Sequence, residues 1–169
     1  MESTNTAKGA KAGADSQSDV HLGRLQDAPG FLLRRANVVF RLHYAAYFKD
    51  KDLGVTPVIG SMMILIEENP GITQIELARL LKIEGSTLWQ SVTRLVELEY
   101  IQRYRVETDK RAYALHLSRA GRTALRKIEE GMKIHQKALL QVLSADERTL
   151  LMDMLMRIIQ RGEEILKID

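Results

Sequence analysis

The sequence predicts a mainly α-helical fold carrying one small β-hairpin. Three observations predict it. Apolar residues recur at helical spacing through most of the chain. Two capping boxes, Thr73-Gln74-Ile75-Glu76 and Ser144-Ala145-Asp146-Glu147, mark helix starts. Only between Tyr100 and Leu117 does the apolar period drop from about 3.6 to about 2, the signature of strands. With 169 residues, 45% hydrophobic and 28% charged, the chain is one domain's worth and can bury a substantial core.

Residues 1–28 read as an unstructured arm, since fourteen of the first 24 are Ala, Gly, Ser, Thr, Asn or Gln and no apolar periodicity precedes Val20 and Leu22. Lys8 and Lys11 could brush DNA, but a solvated tail is the simpler reading. Residues 29–169 form a single domain. In it, residues 31–49 make a long helix that is apolar on most of its circumference (Phe31, Leu32, Ala36, Val39, Phe40, Leu42, Ala46, Phe48) and so must be covered on several sides. Thr56-Pro57 starts a second helix, with Thr as N-cap and Pro at its first position, and Asn69-Pro70-Gly71 stops it.

The capping box at Thr73 opens a short third helix ending near Leu81-Lys82. A fourth runs from about Glu84 or Gly85 to Leu98. Two short helices joined by a tight turn form a helix-turn-helix. The strands Tyr100–Val106 and Ala112–Leu117 follow, joined by the charged tip Glu107-Thr108-Asp109-Lys110-Arg111. Ser118 caps a fifth helix. The sixth carries the stripe Leu150, Leu151, Met154, Leu155, Ile158 and Ile159. The order is that of a winged helix-turn-helix, about residues 56–118, flanked by helices over about 31–49 and 119–167.

Composition narrows the function classes. Residues 82–127 hold ten Lys/Arg against five Asp/Glu, a local +5 that leaves −2 for the rest of a chain whose net charge is +3. A basic segment on a mildly acidic body attracts polyanions, nucleic acid first. No stretch nears the roughly 18 apolar residues of a membrane span, and Met1-Glu2-Ser3-Thr4 lacks the start of a secretory signal. Cysteine is absent, which excludes disulfides, thiolate zinc sites and thiol redox sensing. The expectation is a cytoplasmic protein with no membrane partner, metal or resident cofactor. An enzyme is disfavoured as well. There is no nucleophile elbow or phosphate loop, His21, His43, His116 and His135 are scattered, and Ser118 reads as a cap.

The runs Gly71-Ile72-Thr73-Gln74-Ile75-Glu76-Leu77-Ala78, Ser86-Thr87-Leu88, Asp109-Lys110-Arg111 and Leu117-Ser118-Arg119-Ala120-Gly121-Arg122 resemble the MarR family of winged-helix transcriptional regulators over about residues 31–166. The distinctive feature is Asp-x-Arg in the wing followed by Leu-Ser/Thr-x-x-Gly at the next helix. The resemblance implies a sequence-specific regulator, commonly a repressor, that binds near-palindromic double-stranded operator DNA as a homodimer and releases it when a small aromatic ligand binds. The opening Gly30-Phe31-Leu32-Leu33-Arg34-Arg35-Ala36 is similar to members that control aromatic-acid catabolism, which answer to the acid or to its coenzyme A thioester. A winged helix used only for protein–protein assembly is the alternative, and the basic residues from Arg94 to Arg126 speak against it.

On a helical wheel, Leu88, Val92, Leu95 and Val96 face one side of the fourth helix. Ser86, Trp89, Gln90, Thr93 and Glu97 face the other, flanked by Thr87 and Arg94. Such a polar face suits the major groove. Gln90 can pair with adenine, Thr87 and Thr93 can touch a thymine methyl or a phosphate, and Arg94 can neutralise phosphate. Thr73 and Gln74 at the start of the third helix complete that set. The resemblance puts Arg111 in the minor groove with Asp109 bracing it, a surface ion pair being the alternative, while Arg103, Arg105 and Lys110 neutralise phosphates.

Trp89 and Gln90 stand where the family usually has a small polar and a basic residue, and Glu99 where it usually has Gly. Trp89 either meets DNA or packs on the hairpin. Phe31, Leu32, Leu151, Met154, Leu155, Ile158 and Ile159 are the expected dimer contacts. Arg34, Arg35, Arg41, His43, Tyr44 and Tyr47 are candidates for an anionic aromatic effector, unless the His and Tyr residues merely line core or interface.

Overall fold

The computed structural model describes residues 21–51, 53–106 and 112–166. By compactness the chain forms two units, residues 1–35 and 36–169. In the first, the arm expected to be unstructured to residue 28 instead closes a 3-10 turn at Gly23–Asp27. Two i-to-i+3 bonds hold it, from Leu25 N–H to the Leu22 carbonyl and from Ala28 N–H to the Leu25 carbonyl, 3.2 Å each. Such local bonds need no apolar periodicity, so nothing in the composition of the arm announced them.

Helix α1 spans Pro29–Phe48, α2 Pro57–Glu68, α3 Gln74–Leu81 and α4 Gly85–Glu97. Strands β1 (Ile101–Arg105) and β2 (Tyr113–Leu117) follow, then α5 (Arg119–Leu140) and α6 (Ala145–Leu166). The caps read from the sequence form. The Thr56 hydroxyl accepts from Ile59 N–H at 3.3 Å, with Pro57 in the first turn. The Thr73 and Glu76 pair makes both bonds of its box, 3.3 and 2.8 Å, and Ser144 and Glu147 do the same at 3.2 and 2.7 Å. These bonds hold both glutamates below the usual carboxylate range.

β1 and β2 pair antiparallel from Ile101 opposite Leu117 to Arg105 opposite Tyr113. A third edge that no apolar pattern announced joins the hairpin. Gly71 N–H donates to the Leu115 carbonyl and Leu115 N–H to the Ile72 carbonyl, 3.0 Å each, so the turn before α3 joins β2. Gly71 takes φ +94, which suits a residue without a Cβ. This edge fixes α3 and α4 against the hairpin.

The core of the second unit draws on every element of the winged helix. Met62, Met63 and Ile66 from α2, Leu77 from α3, Leu95 from α4, Leu115 from β2 and Ile128 from α5 are fully buried. The flanking helices differ. Within the single chain, α1 buries only Tyr44 and Phe48, and Leu42 is 62% exposed. None of the 22 residues of α6 is buried.

Glu99 takes φ +57, the left-handed conformation that favours glycine. The corner between α4 and β1 therefore keeps the backbone turn glycine would give, carried by a residue with a Cβ. Glu99 N–H donates to the Val96 carbonyl at 2.9 Å, and the Ser118 hydroxyl donates to the Glu99 carbonyl at 2.6 Å, bracing it.

Candidate nucleic-acid interface

Helix α4 is amphipathic as its sequence requires. Leu88, Ser91, Val92 and Leu95 are buried, whereas Ser86, Thr87, Trp89, Gln90, Arg94 and Glu97 are exposed and Thr93 is half-buried. Ser91 sits inside because its hydroxyl donates to the Thr87 carbonyl at 2.8 Å. Trp89 is 66% exposed, which removes the reading that it packs on the hairpin. Beside it Gln90 is exposed. An exposed indole among small polar residues is an unusual surface, because large apolar groups are normally drawn inward.

The other candidates differ in availability. Thr73 and Gln74 are half-buried, and the Thr73 hydroxyl is engaged in its capping box, donating to Glu76 at 2.7 Å. Arg94 pairs with Glu97 at 3.2 Å. Its guanidinium also crowds Gly54, where a Cβ would lie 2.7 Å from it. Gly54, at φ +59, takes a backbone conformation that favours glycine, whereas the Arg94 end could swing aside. On β1, Arg103 and Arg105 are exposed, and the Arg103 guanidinium lies 5.5 Å from the ring centre of Tyr113. Asp109, Lys110 and Arg111 lie outside the described residues.

A second feature lies at the other end of the second unit. A cavity of about 160 Å³ opens between α1, α2 and α5, lined by Asn37, Phe40, Arg41, Tyr44, Pro57, Ser61, Met132, His135 and Gln136. Tyr44 is buried, and its hydroxyl has no hydrogen-bond partner among the described residues. Burial pushes its phenol up to about 12, so it remains a neutral donor.

His43 and His135, which looked scattered in the sequence, meet here. Their Nδ1 atoms are 2.6 Å apart and their rings stack at 4.9 Å. Burial, and secondarily His43, holds His135 below the usual histidine value. Of the sequence candidates, Arg41 and Tyr44 line this cavity and His43 lies against one of its walls. Tyr47 lines a different one with Lys51, whose ammonium sits 4.6 Å over its ring. Arg34 and Arg35 belong to the first unit, where both guanidiniums lie over the Phe31 ring, 5.3 and 5.7 Å from its centre. The sequence reading missed Met132, His135 and Gln136. The signal available was helical spacing: Ile128, Gly131 and His135 recur along the buried face of α5.

The expected dimer contacts divide as well. Leu151 and Leu155 are half-buried, while Met154, Ile158 and Ile159 are 44%, 56% and 51% exposed. Among the described residues no helix is long and apolar enough to cross a membrane, and no three His, Asp or Glu side chains could jointly hold a metal.

The sequence pattern of the MarR family matches residues 53–112, the stretch from the turn before α2 through β1 to the residue before β2. A protein of Thauera aromatica assigned to transcriptional regulation of the hcr operon is 31% identical over 157 residues, 93% of each chain. Among solved structures, the transcriptional repressor CouR bound to a 23-mer DNA duplex is 26% identical, with a TM-score of 0.77 over 84% of this chain and 99% of that one. A transcriptional regulator from Pseudomonas aeruginosa is 30% identical, with a TM-score of 0.73 over 80% and 99%. With the helix-turn-helix, the hairpin and the flanking helices all in place, the chain belongs to the MarR family of transcriptional regulators.

Proposed function

We propose that the protein is a ligand-released repressor that binds a near-palindromic operator as a homodimer. The observation that carries the DNA reading is the outward face of α4, where Ser86, Thr87, Trp89 and Gln90 stand exposed above a buried apolar side. Gln90 would pair with a base edge, and Trp89 would offer its indole to thymine methyls, each good contact being worth about 1–3 kcal/mol of discrimination. Arg103 and Arg105, with Lys110 and Arg111 from the wing tip, would engage the backbone and minor groove. Arg94, held by Glu97, is the least available of the set. The likeness to CouR, which was solved on a DNA duplex, supports the same reading.

The homodimer is supported by the open apolar surface of α1 and α6, including Leu42, Leu150, Met154, Ile158 and Ile159. Two-fold pairing would set the recognition helices about 34 Å apart, one turn of DNA. The effector reading rests on the cavity beneath α1, which combines a cation (Arg41), a buried donor without a partner among the described residues (Tyr44) and aromatic walls. Arg41 beside the Tyr44 hydroxyl suits the carboxylate of an aromatic acid, and a coenzyme A thioester is the other ligand the test includes.

The test is fluorescence anisotropy on DNA from upstream of the protein's own gene, with excess unrelated competitor, repeated with a panel of aromatic acids and their thioesters. Binding should resist competitor, fall about tenfold or more in Trp89→Ala and Arg111→Ala, and vanish with one acid. Trp89 is the single tryptophan, so its own emission should change on the operator. Binding that competitor removes and neither substitution alters would overturn the reading.

A further inference from the structure

We propose that His43 and His135 form a proton-accepting pair that makes the cavity take up an aromatic carboxylate together with one proton. This rests on the effector reading above and adds to it the way that site is regulated.

The geometry limits how many protons the pair can hold. Two imidazoles offer four nitrogens, and the two Nδ1 atoms face each other at 2.6 Å. At that distance one Nδ1–H must donate to a bare Nδ1, because two N–H groups would collide head to head. The neutral pair therefore holds two protons, one shared between the Nδ1 atoms and one on a single Nε2. A third proton, from solvent, has one place to go, the remaining bare Nε2, and gives a monocation with a charge-assisted bond at its centre. A fourth cannot enter while the contact lasts. The pair is thus a one-proton device.

The surroundings decide when that proton arrives. His135 is 4% exposed, packed edge-on by Phe40 and Tyr44 at 5.7 Å each. The ionisable groups lining the cavity are Arg41 and Tyr44 on α1 and His135 on α5; α2 contributes Pro57 and Ser61, and α5 adds Met132 and Gln136. Among the described residues no carboxylate lines it. Burial, and secondarily His43, holds His135 below the usual histidine value, so in the empty cavity its side of the pair resists taking up charge. A bound carboxylate would supply the missing negative charge, facing Arg41 and His135, and would draw the third proton into the pair through His135. Affinity then rises as pH falls through the interval between the ligand-bound and ligand-free values of the pair, by at most tenfold per pH unit. A neutral ligand of the same shape would bring no such gain.

The experiment is calorimetric titration of the full-length protein with benzoate and with benzamide between pH 6 and 8. It would be run in phosphate and in imidazole buffers, whose ionisation heats differ. Benzoate should bind with uptake approaching one proton and several-fold more tightly at pH 6 than at pH 7.5, whereas benzamide should show neither effect. In His135→Gln, benzoate should bind with no proton uptake and a flat pH profile. His43→Gln should behave the same way and serves if His135→Gln does not fold, as judged by circular dichroism. Benzoate binding that is pH-independent and proton-neutral in the unaltered protein would overturn the proton linkage and leave the effector cavity standing. No benzoate binding at any pH would overturn both.

Discussion

Replacing Gly121 by Ala should cost far more than a methyl group in a helix ordinarily does. A Cβ at Gly121 would lie 2.0 Å from the carbonyl oxygen of Tyr100, 2.9 Å from its carbon and 3.1 Å from its Cα. All three are backbone atoms, so no side chain can swing aside, and α5 must retreat from the root of β1 by about 1 Å to restore ordinary contact. Three hydrogen bonds stand on that approach. Ser118 N–H donates to the Tyr100 carbonyl at 2.9 Å, the Ser118 hydroxyl donates to Glu99 at 2.6 Å, and Gly121 N–H donates to the same hydroxyl at 2.9 Å.

At about 1 kcal/mol for each bond the loss is about 3 kcal/mol, with up to about 1 kcal/mol returned by the better helix propensity of Ala. The expected net destabilisation is therefore about 2–3 kcal/mol. Urea unfolding followed by far-ultraviolet circular dichroism, at one fixed protein concentration, measures it. A variant within about 0.5 kcal/mol of the parent would refute the argument. It would show that the wing root and α5 are not locked together at this point.

Three further outcomes follow from the same reasoning. Glu99→Gly should stabilise the protein by about 0.5–1 kcal/mol, since it removes the left-handed penalty of about 1–2 kcal/mol and gives some back as chain entropy; thermal unfolding reads it, and a lower melting temperature would contradict the strain. Charged replacements of Leu155 and Ile158 together should give monomers in sedimentation velocity, and a persistent dimer would place the interface elsewhere. Glu76 and Glu147 have folded-state values below their unfolded ones, so the stability they contribute is present above the unfolded value and lost as pH falls through the folded one; acid unfolding of Glu147→Gln should show a weaker dependence below about pH 4.5.

Much of the fold was legible because its signals are local. Thr56-Pro57, the two capping boxes and Ser118 each satisfy amide donors within three or four residues, and each formed as read. The period change at Tyr100 placed both strands within a residue or two of their ends. What escaped involves partners distant in sequence: the pairing of Ile72 with Leu115, the meeting of His43 with His135, and the contact of Gly121 with Tyr100. A helical wheel gave the exposure of Trp89 and Gln90 correctly. It could not show that Arg94 also reaches Gly54, because that depends on the turn before α2.

Helix α5 gains a mechanical meaning from where its contacts fall. Near its C-terminal end it presents Met132, His135 and Gln136 to the cavity, and at its N-terminal end Ser118 and Gly121 clasp the root of the hairpin. The seventeen residues from Arg119 to His135 span about 25 Å of unbroken helix. A rod of that length multiplies angle into distance: a tilt of about 5° imposed at the cavity would carry the hairpin root about 2 Å. A displacement of that size is enough to spoil a base contact whose useful range is a few tenths of an ångström. The clasp at Gly121 leaves no slack in which the movement could be lost.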